Sequence, residues 1–182
     1  KTLWSKTDMS NLRLINETTV ASGSAVSFIQ INDVFSSDFD IYKITTDLNQ
    51  VSGSPSTVSL RLVNASGSVV TASNYDYSNL RMPFGSAFSS LRGTNSSRAL
   101  EVFGATYGAE PEQNNVVTYI FNPNSSSSYT FTLSQVVTET NRSTKGIAVL
   151  KQTASMTGFG LYSEGSTSQY GTIRTYGLRV DS

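Results

Sequence analysis

The 182-residue sequence predicts an all-β fold, a single antiparallel β-sandwich. Apolar and polar residues alternate with a period of two between clusters of turn residues, which is typical of half-buried strands. Only 14% of the residues are charged, against roughly 25% in an average domain, and Ser, Thr, Asn and Gly take their place. No segment has a sustained 3.6-residue period, so the evenly spaced strands indicate a sandwich or barrel rather than α/β units.

The first clear strands lie between residues 42 and 64. In residues 42–48, YKITTDL, every second side chain from Tyr42 to Leu48 falls on one face. In residues 57–64, TVSLRLVN, the side chains of Val58, Leu60 and Leu62 share a face. Both segments are predicted to be strands with one face on the core.

Residues 128–137, SYTFTLSQVV, have the most regular alternation. One face carries Tyr129, Phe131, Leu133, Gln135 and Val137, and the other carries Thr130, Thr132 and Ser134. The pattern predicts that the first set faces the core and that the Thr and Ser residues form the wetter face.

Other segments are less regular. Residues 98–108 and 114–123 are apolar on both faces, which predicts strands that are central in the sandwich or covered by a neighbouring subunit. Residues 64–68, NASGS, predict a hairpin turn in which Gly67 adopts a positive φ angle. Residues 79–93 predict a long surface loop, because a Pro and a Gly interrupt the only helix-like pattern.

Residues 171–180, GTIRTYGLRV, predict a closing strand. Ile173 has one parity, and Tyr176 and Leu178 have the other. A β-bulge near Gly177 would return these apolar side chains to one face and leave Arg174 pointing outward.

The N-terminal part, residues 1–20, is predicted to be an arm or first strand, and residues 21–182 to be the sandwich. Trp4, Leu12 and Leu14 are candidate subunit contacts, because aromatic anchors are favoured at interfaces. The alternative is that Trp4 packs on its own domain, and the origin of residues 1–8 stays open.

The composition excludes several kinds of chemistry. The sequence has no His and no Cys, so zinc sites, catalytic triads and Cys–His mechanisms are not encoded. Lys plus Arg equals Asp plus Glu, at 13 each, and the arginines are scattered, which disfavours nucleic acid as a partner. No apolar run approaches the roughly 20 residues that span a bilayer, so we expect neither membrane insertion nor a cofactor.

The best candidate for a ligand site is residues 72–81, ASNYDYSNLR. Tyr75, Tyr77 and Arg81 would supply an apolar platform and hydrogen bonds for a sugar ring. The alternative is that the two tyrosines are simply inward-facing residues of a strand.

Two acidic groups are weaker candidates. Asp33, Asp38 and Asp40 could hold calcium, but they lack the spacing of an EF-hand loop and an ordinary turn is favoured. Glu110 and Glu112 could form the carboxylate pair of a glycoside hydrolase, although two such residues in a loop are usually just solvated. We therefore expect no enzyme activity and no metal.

The chain resembles small virion proteins of marine podovirus-like phages, including cyanophages. The similar segments are residues 9–20 (MSNLRLINETTV), 39–48 (FDIYKITTDL), 75–80 (YDYSNL), 119–123 (YIFNP) and 158–180 (GFGLYSEGSTSQYGTIRTYGLRV). The resemblance implies a jelly-roll-like sandwich whose last two strands close the fold.

The same resemblance implies a function. It implies a non-enzymatic subunit on the virion surface, as a head decoration protein, a head fibre or knob, or a receptor-binding tail tip. Its partners would be further copies of itself, with a trimer favoured, other virion proteins and a host-surface glycan. The alternative function is a carbohydrate-binding β-sandwich module.

Overall fold

The structure, a computed structural model, describes residues 11–51, 56–106, 114–138, 142–165 and 167–179. Within these ranges the chain forms twelve β-strands and one short 3₁₀ turn at Ser22–Ser24, and no helix is long and apolar enough to cross a membrane. The strands are β1 (Leu12–Val20), β2 (Phe28–Ile31), β3 (Ile41–Gln50), β4 (Ser56–Asn64), β5 (Tyr75–Pro83), β6 (Ser89–Ser96), β7 (Ala105–Thr106), β8 (Asn114–Phe121), β9 (Thr130–Thr138), β10 (Arg142–Leu150), β11 (Met156–Ser163) and β12 (Gln169–Leu178).

The strands form two antiparallel sheets, which confirms the predicted all-β sandwich. The large sheet has eight strands in the order β1-β12-β3-β8-β9-β10-β5-β6, and the small sheet has four in the order β2-β11-β4-β7. β1 pairs with β12 from Leu12 to Val20, so this segment is the first strand of the sandwich rather than a separate arm. Residues 1–10, with Trp4, lie outside the described residues.

The core lies between the sheets, and the alternation of β3 and β4 is confirmed there. The predicted inward residues from Tyr42 to Leu48 on β3 are all buried, as are Val58, Leu60 and Leu62 on β4. Alternate side chains of a strand point to opposite faces, so the apolar set of each strand reaches the layer between the sheets.

β9 lies the opposite way round from the prediction. Thr130, Thr132 and Ser134 are buried, whereas Phe131 and Leu133 are on the outer face and about half exposed. The predicted period of two is confirmed, whereas the prediction of which side chains face the core is wrong.

Residues 97–104, which we call the inner loop, explain this orientation. The loop lies beside β4, where Leu60 and Ala99 exchange two backbone hydrogen bonds, and it covers the inner face of the large sheet. Gly104 has a φ angle of 74°, and a Cβ there would lie 2.4 Å from Cγ1 of Val136 on β9. A backbone this close to β9 leaves no room there for an inward side chain larger than Val136.

Polar side chains of the large sheet bind the carbonyl groups of the inner loop. Asn79 Nδ2 on β5 donates to the Leu100 carbonyl at 2.8 Å, and Asn114 Nδ2 on β8 donates to the Phe103 carbonyl at 2.7 Å. A buried carbonyl group without a donor would destabilise the fold, so a polar inner face suits this loop better than an apolar one.

Two irregular segments differ from their predictions. Residues 79–93 are not a surface loop, because β5 and β6 form a hairpin joined by residues 84–88. Residues 98–106 are not a long central strand, because all but the two residues of β7 belong to turns and loop.

The closing strand β12 contains no bulge against β3. Its pairing with β3 is continuous from Gln169 to Leu178, so Tyr176 and Leu178 stay on the outer face while Ile173 is buried. Gly177 does face the core, where the Phe39 ring occupies the space that a side chain would need. The predicted bulge is therefore wrong, and the predicted outward position of Arg174 is confirmed by its contact with Glu17 on β1.

The turn at residues 64–68 is confirmed. Gly67 has a φ angle of 77°, and its amide donates to the Asn64 carbonyl at 2.9 Å. The side-chain oxygen of Asn64 accepts hydrogen bonds from the backbone amides of Ser66 and Ser68, so one side chain organises the turn.

The tight inner face predicts that Gly146→Ala destabilises the protein. A Cβ at residue 146 would lie 2.2 Å from Asn79 Oδ1 and 2.7 Å from Ser134 Oγ, so we expect a loss of about 1–3 kcal/mol in the free energy of unfolding. Urea unfolding measures it. Gly85→Ala is the matched control because no atom lies within 4 Å of its Cβ, and equal losses in the two variants would contradict the tight packing.

Candidate binding face

Tyr75, the first residue of the predicted ligand site, belongs to the core. It is 1% exposed, and its hydroxyl accepts a hydrogen bond from the Leu62 amide at 2.9 Å and donates to the Val70 carbonyl at 3.3 Å. Burial raises the pKa of Tyr75 to about 12, opposed by the hydrogen bond from Leu62 and the charge of Arg61. A sugar ring cannot stack on this side chain.

Tyr77 and Arg81 also point inward on β5. The Tyr77 ring lies against Gly93 of β6, where a Cβ would be 2.6 Å from ring atoms. Arg81 forms a two-pronged ion pair with Glu101 of the inner loop, in which Nε is 3.1 and 3.0 Å from the two carboxylate oxygens. The prediction of an exposed platform at these residues is therefore wrong, and the alternative of inward strand residues is correct.

Glu101 is a fully buried carboxylate, and its backbone φ is 56°. Burying an unpaired carboxylate is very costly, but the guanidinium of Arg81 supplies a counter-charge and directed hydrogen bonds. The pair therefore fastens the inner loop to the large sheet, and it has a structural role instead of a role in ligand contact.

The acidic candidates do not form a site among the described residues. Asp33, Asp38 and Asp40 are exposed, and the Asp38 amide donates to Ser36 Oγ at 3.2 Å, as in an ordinary turn. No group of three or more potential metal ligands occurs in the part of the chain that the structure describes. Glu110 and Glu112 lie outside that part.

The outer face of the large sheet carries two apolar rows, which we call the belt. The rows cross six adjacent strands, β1, β12, β3, β8, β9 and β10, and neighbours in a row are paired across the strands. The first row is Leu12, Leu178, Ile41, Phe121, Phe131 and Val149, and the second is Leu14, Tyr176, Lys43, Tyr119, Leu133 and Ile147.

The belt is exposed to an extent that is unusual for apolar side chains. Leu14, Phe131, Leu133 and Ile147 are between 45% and 58% exposed. Phe131, Leu133 and Ile147 are neighbours on β9 and β10 and present on the order of 300 Å² of surface, whereas Leu14 lies at the β1 edge. Patches of this kind mark interaction sites, and Lys43 is the single charged member of the two rows.

Leu12 and Leu14, two of the predicted subunit contacts, begin the two rows at the β1 edge. Both side chains point outward, and Leu14 is 51% exposed. Ile15 packs against the core instead, because β1 has an irregularity in its pairing between Leu14 and Asn16. The two leucines are thus placed where a partner could reach them, and their contact with a subunit stays a prediction.

A groove of about 550 Å³ lies on the same face at the other end of the belt. Phe131, Ile147 and Val149 form its apolar part, and Asp76, Ser78 and Arg92 from β5 and β6 form its polar side. Sequence reasoning missed this groove. The only available signal was the alternation of β9 and β10, which defines the two residue sets without telling which set faces out.

The carboxylate of Asp76 is partly exposed, and one of its oxygens is bound within the protein. Its Oδ1 accepts from the Asn95 amide at 2.8 Å and lies 3.0 Å from Lys151 Nζ. These two hydrogen bonds hold the pKa of Asp76 below its usual value. Asp76 is the only carboxylate among the described residues that line the groove, so the groove offers apolar contact and charge rather than a pair of acid and base groups.

No protein family model matches the chain, and no curated protein sequence is significantly similar to it.

The buried ion pair predicts that Glu101→Gln destabilises the fold by about 3 kcal/mol, because Arg81 then keeps its charge without a counter-charge. Glu17→Gln is the matched control, since its pair with Arg174 is largely exposed, and its loss should stay below about 1 kcal/mol. Urea unfolding compares the two. Similar losses would show that Glu101 does not fasten the inner loop.

The raised pKa of Tyr75 predicts weaker stability at alkaline pH. The unfolded chain releases the Tyr75 proton near pH 10, whereas the folded chain holds it to about pH 12, so stability is complete below pH 10 and falls above it. The expected loss is about 2–3 kcal/mol by pH 12.

Unfolding by urea along a pH series measures this loss. Tyr75→Phe should be less stable at neutral pH, because the Leu62 amide loses its acceptor, but the difference from the native protein should shrink as the pH rises from 10 to 12. A difference that does not change with pH would contradict the assignment.

Proposed function

We propose that the chain is a non-enzymatic structural subunit that works by self-assembly, with the belt covered by a second copy. The observation that carries the proposal is the pair of apolar rows on the outer face, with half-exposed Phe131, Leu133 and Ile147. In water these side chains are unfavourably exposed, and burial stabilises a complex by about 25 cal/mol for each Å².

The composition of the belt fits a protein interface. Interface centres are poor in charge and rich in Tyr and Phe, and the belt contains Tyr119, Tyr176, Phe121 and Phe131 beside one lysine. The whole outer face of the large sheet, with eight strands spaced by about 4.8 Å and about nine residues long, measures roughly 34 Å by 30 Å, and the belt crosses six of its strands. A stable interface needs roughly 800 Å² from each partner, so residues around the belt would contribute to it as well.

A second copy is favoured over another kind of partner by charge. The chain has a formal net charge of zero, so two copies do not repel each other. Sheet faces also pack readily on sheet faces, with their strands at about −30°.

The resemblance of most of residues 9–182 to phage virion proteins supports a place on the virion surface. The subunit would be a head decoration protein, a head fibre or knob, or part of a tail tip, in contact with other virion proteins. We expect a trimer and no enzyme activity.

The test is light scattering across a concentration series. Leu133→Thr combined with Tyr119→Thr should weaken self-association at least tenfold, because two interface side chains are truncated. Threonine suits a strand, so the folded monomer should be retained, as circular dichroism can check.

Val137→Thr is the matched control. Val137 lies on the same strand and face and is 58% exposed, but its neighbours across the strands are Asn115 and Ser143, outside the belt. The proposal would be refuted if the native protein stayed monomeric at its highest soluble concentration. It would also be refuted if Val137→Thr weakened self-association as much as the Leu133→Thr, Tyr119→Thr variant, which we call the belt variant. A version that begins at Met9 tests the predicted contribution of Trp4 separately.

A further inference from the structure

The groove has an almost wholly apolar surface, and the exposed Arg92 lies at its β6 side. Its floor is formed by the outward side chains of Phe131 on β9 and of Ile147 and Val149 on β10. A volume of about 550 Å³ is in the range of small-molecule sites, which span roughly 300–1,000 Å³ and place a few polar groups beside apolar walls.

Arg92 is the exposed charged residue beside the groove. It stands opposite Ser78 on the outer face, and among the described residues no carboxylate lies within ion-pair distance of it. Asp76, the acidic residue that lines the groove, is instead bound by Lys151 and by the Asn95 amide. The Arg92 side chain is exposed beside the groove, so its guanidinium group can still form a two-pronged pair with a ligand there.

We propose that the groove binds a small ligand with an apolar body and a terminal carboxylate. The apolar body lies on Phe131, Ile147 and Val149, and the carboxylate pairs with Arg92. The guanidinium matches a carboxylate in shape as well as in charge, whereas an alcohol of the same length could accept only a single hydrogen bond. The carboxylate of Asp76 does not oppose such a ligand, because the Lys151 ammonium beside it cancels its charge.

This site does not require the proposed self-assembly, because strands β9, β10, β5 and β6 of one chain build the whole groove. The two proposals share Phe131, Ile147 and Val149, so a second copy could cover the groove. Leu133 and Tyr119 are not among the residues that line the groove. Ligand binding to the Leu133→Thr, Tyr119→Thr variant therefore distinguishes two cases: a groove that does not bind the ligand, and a groove that a second copy covers in the native protein.

The experiment is an amide NMR titration of the full chain with octanoate and, separately, with 1-octanol. We expect octanoate to bind about tenfold more tightly, because the carboxylate adds a charge-assisted pair. The largest shifts should appear at the amides of Gly93, Ile147 and Val149. The Leu133→Thr, Tyr119→Thr variant should give the same result, and a response in this variant alone would show that a second copy covers the groove of the native protein.

Arg92→Gln should lower the affinity for octanoate to that for octanol and leave the affinity for octanol unchanged. Lys145→Gln is the matched control, because Lys145 is also exposed on the outer face but does not line the groove, and it should keep the tenfold preference. Three results would overturn the proposal: no binding to the native protein or to the belt variant, equal affinity for the two ligands, or a preference that survives Arg92→Gln.

Discussion

The fit of the inner loop, residues 97–104, against the large sheet is the constraint on which the rest of the structure depends. The small sheet has only four strands against eight, so it cannot by itself cover the inner face of the large one. The inner loop covers part of the remainder, and a loop brings backbone carbonyl groups into a place without water. Asn79 and Asn114 donate to two of these carbonyl groups from the sheet side, and Arg81 pairs with the buried Glu101 carboxylate of the loop.

This constraint determines the orientation of β9. A strand next to a buried backbone needs short side chains on that face, and β9 supplies Thr132 and Ser134 there, while Gly146 on β10 does the same. Because successive side chains alternate, the larger residues Phe131 and Leu133 must then point to the outer face. The alternation along β9 therefore has two consequences. Its short side chains pack beneath the inner loop, and its large apolar side chains form part of the exposed belt.

The closing strand shows the same coupling at the other end of the sheet. Phe39 fills the space over Gly177, so β12 needs no bulge to complete the core at that position. Tyr176 and Leu178 consequently stay outside and extend the belt toward β1, where Leu12 and Leu14 end it. The apolar surface therefore continues across strands that are distant in sequence, which no local pattern contains.

The sequence by itself determined the fold class, the positions of most strands, the turn at Gly67 and the inward set of β3 and β4. These features depend on local backbone preference and on a period of two, both of which are written in neighbouring residues. The tertiary structure alone decided which face of β9 is buried, where Tyr75 and Arg81 point, and that residues 79–93 form a hairpin. The reason is physical: alternation defines two faces of a strand, but the side that becomes the core depends on what packs against it, and here that is a loop about 30 residues away in the chain.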